Sequence, residues 1–239
     1  MHSPFVFELV TKCFYAKINY PEYKILESYR NELLANKNFI EVTDFGAGSR
    51  VFKTNKRQIC KIAKTAGITS KRAELLFRVV NYFQPTNILE IGTSLGLATS
   101  ALALGNKNAR ITTLEGCPNT LNQCQLQLQK FNFNDVELIN TEFSNYLKSK
   151  NLISNIFDLI YVDGNHSQKA TVDYFELLLP TITNDSIWIF DDIHWSQEME
   201  KAWEIIKKHP KVTVTIDTFK WGIVFFKLGQ EKEHFVVRL

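Results

Sequence analysis

Ile88-Leu89-Glu90-Ile91-Gly92-Thr93-Ser94-Leu95-Gly96 decides the fold. The first four residues are apolar except for Glu90, and a run this short and rich in branched side chains reads as a buried strand. The glycines that follow let the backbone turn sharply and approach a ligand where a Cβ would clash. The helix expected from Leu97 would begin with N–H groups that have no partner inside it. A second short run, Ile111-Thr112-Thr113-Leu114, ends on Glu115. It stands roughly twenty residues beyond the glycines, the separation at which an acid reaches the hydroxyls of a ribose.

Outward from this segment, short apolar runs alternate with longer amphipathic ones, which is the pattern of strand and crossover helix in a parallel sheet. Strands are expected over 87–91, 110–114, 136–139, 157–162 and 186–190, and helices over 97–104, 118–131, 144–150, 167–179 and 197–209. Pro118 suits a first helical turn, where its missing N–H costs nothing, and Pro210 closes the last helix. The ending differs: 212–217 and 222–227 are two β-rich runs joined by a short turn, an antiparallel hairpin. Residues 1–80 read as mostly helical, with amphipathic stretches over 21–34 and over 56–83, the latter broken near Gly67. No repeat, low-complexity run or Pro/Gly/Ser-rich linker separates this part from the sheet, so it is expected to pack directly on it.

With 45% hydrophobic and 22% charged residues the chain can bury a core and lacks the polar bias of a disordered one. A net charge of +3 is too small and too dispersed to argue for nucleic acid or an anionic membrane. The amino terminus lacks the pattern of a secretory signal, and no apolar run is long enough to span a bilayer, which points to a cytoplasmic protein. Cys13, Cys60, Cys117 and Cys124 form no CxxC pair and are expected to be interior and free.

The chemistry is expected at the carboxyl ends of the fourth and fifth strands, where ligands of open parallel sheets collect. Asp163 ends Leu159-Ile160-Tyr161-Val162, and Asp191 with Asp192 ends Ile187-Trp188-Ile189-Phe190. If those strands are neighbours, about 4.8 Å apart, the three acids converge and repel unless they are protonated or bind a cation. Oxygen ligands favour a hard ion such as Mg²⁺. The alternative is that some of these acids cap helices or bind a cofactor. His166 and His194 are the two candidates for a general base, and the dipole of the helix following His166 would help keep its ring neutral. Trp195, Trp221, Phe5, Phe7, Phe14 and Tyr15 are expected mainly in core packing, with a pocket wall as the alternative. Lys56, Arg57, Lys61, Lys64, Lys71 and Arg72 read mainly as a solvated helix face, with attraction of an anionic substrate as the alternative. A second glycine-rich run, Asp44-Phe45-Gly46-Ala47-Gly48-Ser49, has no strand ending in an acid at the right distance behind it. It reads either as a loop folded over the substrate or as a structural turn.

The segment E-x-G-x-x-x-G, with Glu115 behind it and a hairpin at the end, resembles the class I S-adenosylmethionine-dependent methyltransferases more than the G-x-G-x-x-G nicotinamide enzymes. Asp163-Gly164-Asn165-His166 followed by Asp191-Asp192-Ile193-His194-Trp195-Ser196 is similar to the metal-dependent sugar O-methyltransferases of the macrocin type. This resemblance implies a Rossmann-like sheet of order 3-2-1-4-5-7-6, its last strand antiparallel, over 81–239. The helical segment 1–80 would then be a lid or a dimer contact. It implies S-adenosylmethionine held by Glu90, Gly92, Ser94, Gly96, Glu115, Glu142 and Asp163. Glu142 stands where the family usually has Gly-Asp. It implies Mg²⁺ on Asp163, Asp191 and Asp192, acting on a hydroxyl of a small-molecule acceptor. The family often has a second acid where Asn165 stands, which leaves the base to His166 or His194. A metal-independent N- or O-methyltransferase and a non-catalytic cofactor-binding protein are the rival readings.

Overall fold

The computed structural model describes residues 3–45, 52–149, 152 and 155–239. Helix α1 (Pro4–Leu9) runs into a π-helical turn over Val10–Phe14, and α2 (Glu22–Ala35) follows. Strands β1 (Phe39–Glu41) and β2 (Lys56–Gln58) pair antiparallel, and α3 (Ile59–Thr65) and α4 (Ser70–Phe83) complete the amino-terminal part. The break expected near Gly67 is present between α3 and α4. This part is mostly helical as expected, and the small β1–β2 ribbon is an addition to that reading. Three-residue strands with half-exposed side chains carry too little periodicity to register in a sequence. Gly46, Ala47, Gly48 and Ser49 of the second glycine-rich run lie outside the described residues.

The main sheet consists of β3 (Asn87–Ile91), β4 (Arg110–Glu115), β5 (Val136–Asn140), β6 (Leu159–Val162), β7 (Ile187–Asp191), β8 (Val214–Asp217), β9 (Trp221–Phe225) and β10 (Glu233–Val236). Their order is β5-β4-β3-β6-β7-β9-β8-β10. Strand β9 runs antiparallel to both β7 and β8, while the other pairs are parallel. This is the expected 3-2-1-4-5-7-6 sheet with one strand added. The unforeseen β10 pairs parallel to β8 at the edge, and its alternation of half-buried and exposed residues leaves Val236 81% exposed, a weak signal for a strand.

Helices α5 (Leu97–Gly105), α6 (Pro118–Lys130), α7 (Phe143–Leu147), α8 (Gln168–Leu178) and α9 (Gln197–Lys208) cross over between strands. Period-two alternation divides the sheet's side chains between two cores. Ile88, Ile111, Leu159, Tyr161, Ile189 and Ile223 face one core with α5 and α6, and this core includes Val6, Leu9, Tyr29, Leu33, Leu76 and Val80 from the amino-terminal part. Leu89, Ile91, Ile160, Val162, Trp188 and Phe190 face the other with α7, α8 and α9. The amino-terminal helices are thus built into the main core. Fully burying a single Leu or Val is worth about 1.5–3 kcal/mol, so Leu9, Leu33, Leu76 and Val80, each at 0–1% exposure, hold this segment down firmly. No helix among the described residues is long and apolar enough to cross a membrane.

Candidate active site

Three adjacent strands end in the same unusual way. Ser94 after β3, Asn165 after β6 and Asp192 after β7 take left-handed backbone angles, with φ of 49°, 51° and 52°. Such angles are uncommon outside glycine and cost on the order of 1–3 kcal/mol each. They turn the chain sharply over the carboxyl edge of the sheet. A cavity of about 470 Å³ opens there, within the size range of small-molecule sites. Gly92, Ser94, Glu115, Glu142, Asp163, His166, Asp191 and Asp192 all line it.

Glu115 is the anchor of one side. Its Oε2 accepts from the amide of Ser94 and its Oε1 from the amide of Cys117, both at 2.9 Å. Each oxygen keeps a lone pair for a ligand hydroxyl. Burial raises its pKa, and backbone donors from Cys117, Ser94 and Gly116 oppose the rise. Gly92 has φ of 104°, and a Cβ there would lie 2.1 Å from the carbonyl oxygen of Asp163, so only glycine lets β3 and β6 end side by side. Phe45 packs on Gly116 and Phe143 on Gly164, which brings two aromatic rings to the cavity wall.

Two expected cofactor residues sit elsewhere. Gly96 is not among the lining residues; a Cβ on it would meet Tyr29 Oη at 2.5 Å and Cys124 Sγ at 2.7 Å. Its φ of 76° and its crowding serve packing beneath α2, which corrects the expectation of close approach to a ligand. Glu90 is fully buried behind the cavity, where Oε2 accepts from Thr99 Oγ1 at 2.6 Å and from Thr113 Oγ1 at 2.5 Å. Burial pushes its carboxyl up to about 8 against those two hydrogen bonds. Oε1 has no hydrogen-bond partner among the described residues.

The acids do converge. Both oxygens of Asp191 bind Arg72 Nη1, at 2.7 and 3.0 Å, and Tyr161 Oη donates to Oδ2 at 3.1 Å. Burial and the charge of Asp163 push the Asp191 carboxyl up to about 8, against the pull of Arg72. Lys220 approaches Asp192 at 3.5 Å, and His166 Nε2 lies 3.5 Å from Asp163 Oδ1. None of the three acids caps the helices that follow. Ser167 caps α8 and Ser196 caps α9, their hydroxyls accepting from Ala170 and Met199.

The surroundings of His166 work against the neutral ring expected of it. Burial alone would lower its pKa, but the hydrogen bond to Asp163 and the charges of Asp163, Asp191 and Asp192 together raise it. Three nearby carboxylates outweigh the partial charge of one helix end. Trp195 stands beside it, ring centroids 5.7 Å apart, and also lines the cavity. His194 points away. Its Nε2 is 2.9 Å from Asp217 and its Nδ1 is 3.3 Å from Glu200, and it is not among the lining residues. Trp221 and Phe14 are buried in the core as expected, and Phe5 packs edge-on against Phe225; Phe7 and Tyr15 are exposed.

The amino-terminal part completes the wall, and apart from Asp44 and Phe45 sequence reasoning missed its share. Val42, Thr43, Asp44, Phe45, Phe52, Arg57 and Arg72 line the cavity. Arg57 pairs with Asp44 at 3.1 Å and lies over the ring of Phe52, so neither it nor Arg72 belongs to a solvated face. The available signal was charge balance, since three converging acids need cations and a basic run lies at 56–72.

Mg²⁺ does not fit the arrangement of these residues. Asp191 already accepts on both oxygens, and among the described residues no group of three His, Cys, Asp or Glu is placed to hold a metal ion.

Residues 89–193 match the family model described as a methyltransferase domain. Several solved methyltransferases share the fold over nearly their whole length. The Podospora anserina methyltransferase PaMTH1, bound to S-adenosylhomocysteine (SAH), is 16% identical with a TM-score of 0.66, covering 95% of this chain and 97% of its own. An SAH-bound O-methyltransferase from Bacillus cereus is 19% identical with a TM-score of 0.60, covering 92% and 96%. TomG, an O-methyltransferase from Streptomyces achromogenes, is 14% identical with a TM-score of 0.60, covering 91% and 95%. At such identities the likeness is one of fold. Together with the domain matched over residues 89–193, it agrees with the methyltransferase-type sheet that the motifs imply.

Proposed function

We propose that this protein methylates an oxygen of a small acceptor held against Asp163, His166 and Trp195. The observation that carries the reading is that Glu115 and the Asp163–His166 pair open onto one cavity, so cofactor and acceptor can meet there. Glu115, Ser94 and Gly92 would hold S-adenosylmethionine, with Glu142, Phe45 and Phe143 beside it. The cavity's size, the open lone pairs of Glu115 and the glycine-bounded floor suit that ligand. When bound, it supplies a methyl group on a positively charged sulfur.

The protein's work is then alignment and proton transfer, and holding both reactants in one orientation accounts for much of the rate. His166 is the better placed of the two base candidates, since it lines the cavity and His194 does not. Asp163 orients the ring and stabilises it once it has taken the acceptor's proton. Two of the similar structures are described as O-methyltransferases, which favours oxygen over nitrogen. Between the Mg²⁺-assisted and the metal-independent forms of the reaction, the Arg72–Asp191 pair favours the second. The part of the cavity contributed by Thr43, Asp44, Phe45 and Phe52 supports a lid role for the amino-terminal segment over a dimer contact.

Isothermal titration of the purified protein with SAH in EDTA tests this reading. Micromolar binding that Glu115→Ala weakens at least tenfold is expected, a loss of about 1.4 kcal/mol. No binding by the wild-type protein would remove both the cofactor and the reaction.

A further inference from the structure

A carboxylate has two oxygens and about four lone-pair sites. In Asp191 all four are taken. Oδ1 accepts from Arg72 Nη1 at 2.7 Å and from the amide of Asp192 at 2.8 Å; Oδ2 accepts from Arg72 Nη1 at 3.0 Å and from Tyr161 Oη at 3.1 Å. Asp191 is 3% exposed, at the end of a central strand, and Arg72 reaches it from the first turn of α4. The backbone there is fixed, because the amide of Arg72 donates to the capping hydroxyl of Thr69 at 3.3 Å. Asp163 has His166 and Asp192 has Lys220 as a further neighbour, each at 3.5 Å. Among the described residues Arg72 Nε and Nη2 bind no protein acceptor, and Arg72 lines the cavity.

We infer that Arg72 is the resident cation of this acid cluster, occupying with a guanidinium the place a divalent metal would take among Asp163, Asp191 and Asp192. The inference rests on the methyl-transfer reading above for its chemical purpose. Without a metal, the acceptor hydroxyl gives its proton to the Asp163–His166 pair, its oxygen forms the new O–C bond, and the electron pair of the broken S–C bond stays on sulfur. The free edge of Arg72 is available to the oxygen as it gains negative charge, and a preformed donor in a water-poor site is effective there. Arginine suits the position because it stays charged when buried beside carboxylates.

Manganese tests the assignment, since Mn²⁺ takes the same oxygen ligands and its free-ion paramagnetic resonance signal falls on binding. The wild-type protein is expected to leave the signal unchanged. Arg72→Ala is expected to take up one Mn²⁺ per chain, because the acids lose their cation, and Arg72→Lys none. Uptake of one Mn²⁺ by the wild-type protein overturns the inference. So does a folded Arg72→Ala, verified by its melting transition, that takes up none. If Arg72→Ala does not fold, Arg72→Met serves in its place, and the wild-type arm needs neither variant. Titration of the same wild-type sample with SAH keeps the two claims apart. Loss of SAH binding removes the methyl-transfer reading, while Mn²⁺ uptake removes only the role of Arg72.

Discussion

Tyr29 Oη donates to the carbonyl oxygen of Leu95 at 2.9 Å and lies where a Cβ of Gly96 would fall. Tyr29 belongs to α2 of the amino-terminal part and Leu95 to the turn after β3, whose Ser94 amide binds Glu115. One buried hydroxyl thus ties the amino-terminal segment to the loop that organises the cofactor side of the cavity.

Removing this tie is expected to cost stability first and SAH affinity second. Tyr29→Phe leaves the Leu95 carbonyl without a donor in the core, a loss of about 1–3 kcal/mol. Gly96→Ala should do at least as much harm, because it adds a left-handed strain to a clash with Tyr29 and Cys124. Chemical denaturation of both variants checks the order. A Gly96→Ala protein as stable as the wild type would show that α2 is not seated on this loop.

Burial of Glu90 makes a prediction of opposite sign to the usual carboxylate. Its pKa rises from an ordinary 4.5 to about 8 in the folded protein, so between those values the folded state binds more protons than the unfolded one. Stability must fall as pH rises through that window. Glu90→Gln keeps an acceptor for Thr99 and Thr113 and removes the titration. Its stability relative to the wild type should therefore improve from pH 5 to pH 8, as measured by urea unfolding at the two ends. A constant difference would mean that Glu90 is ionised in the core throughout.

The sheet was legible because its signals are local and repeated. Four buried residues of β3, the glycine turn and Glu115 lie within one short stretch, and each crossover repeats the alternation of strand and helix. The acid cluster was legible for the same reason, each acid following a strand directly. Arg72 and Tyr29 were not, because they reach the site from elements remote in sequence, and their side chains read equally well as surface or core. Gly96 was assigned to ligand approach because a glycine turn after a strand has that meaning in nucleotide folds. Only the position of Tyr29 reveals the packing reason.

His166 offers a direct measure of the acid cluster. The hydrogen bond to Asp163 and the charge of Asp163 are the leading causes of its raised pKa, working against burial. Asp163→Asn removes both and leaves the burial, so the imidazole should titrate at a lower pH than in the wild type. An NMR titration of the His166 ring resonances gives the comparison without need of an acceptor. An unshifted titration in the variant would mean that Asp191 and Asp192 set the charge of this ring, and that Asp163 does not orient it.

His194 makes the contrasting case of a histidine engaged in holding structure. It bridges Asp217 and Glu200 and stacks on Phe219, ring centroids 5.4 Å apart, while Asp217 also accepts from Trp203 Nε1 at 3.2 Å. Burial lowers its pKa, but the hydrogen bonds and charges of Asp217 and Glu200 raise it above the ordinary 6.5. The stabilising contribution of the charged ring is therefore complete below 6.5 and is lost as pH rises through the higher folded value. Because the ring is partly exposed, solvent screens the effect and its size will be modest. Melting temperatures of wild type and His194→Gln should differ more at pH 5.5 than at pH 9. Equal differences at both would mean that the charge of the imidazole adds nothing to the fastening of this loop on the terminal hairpin.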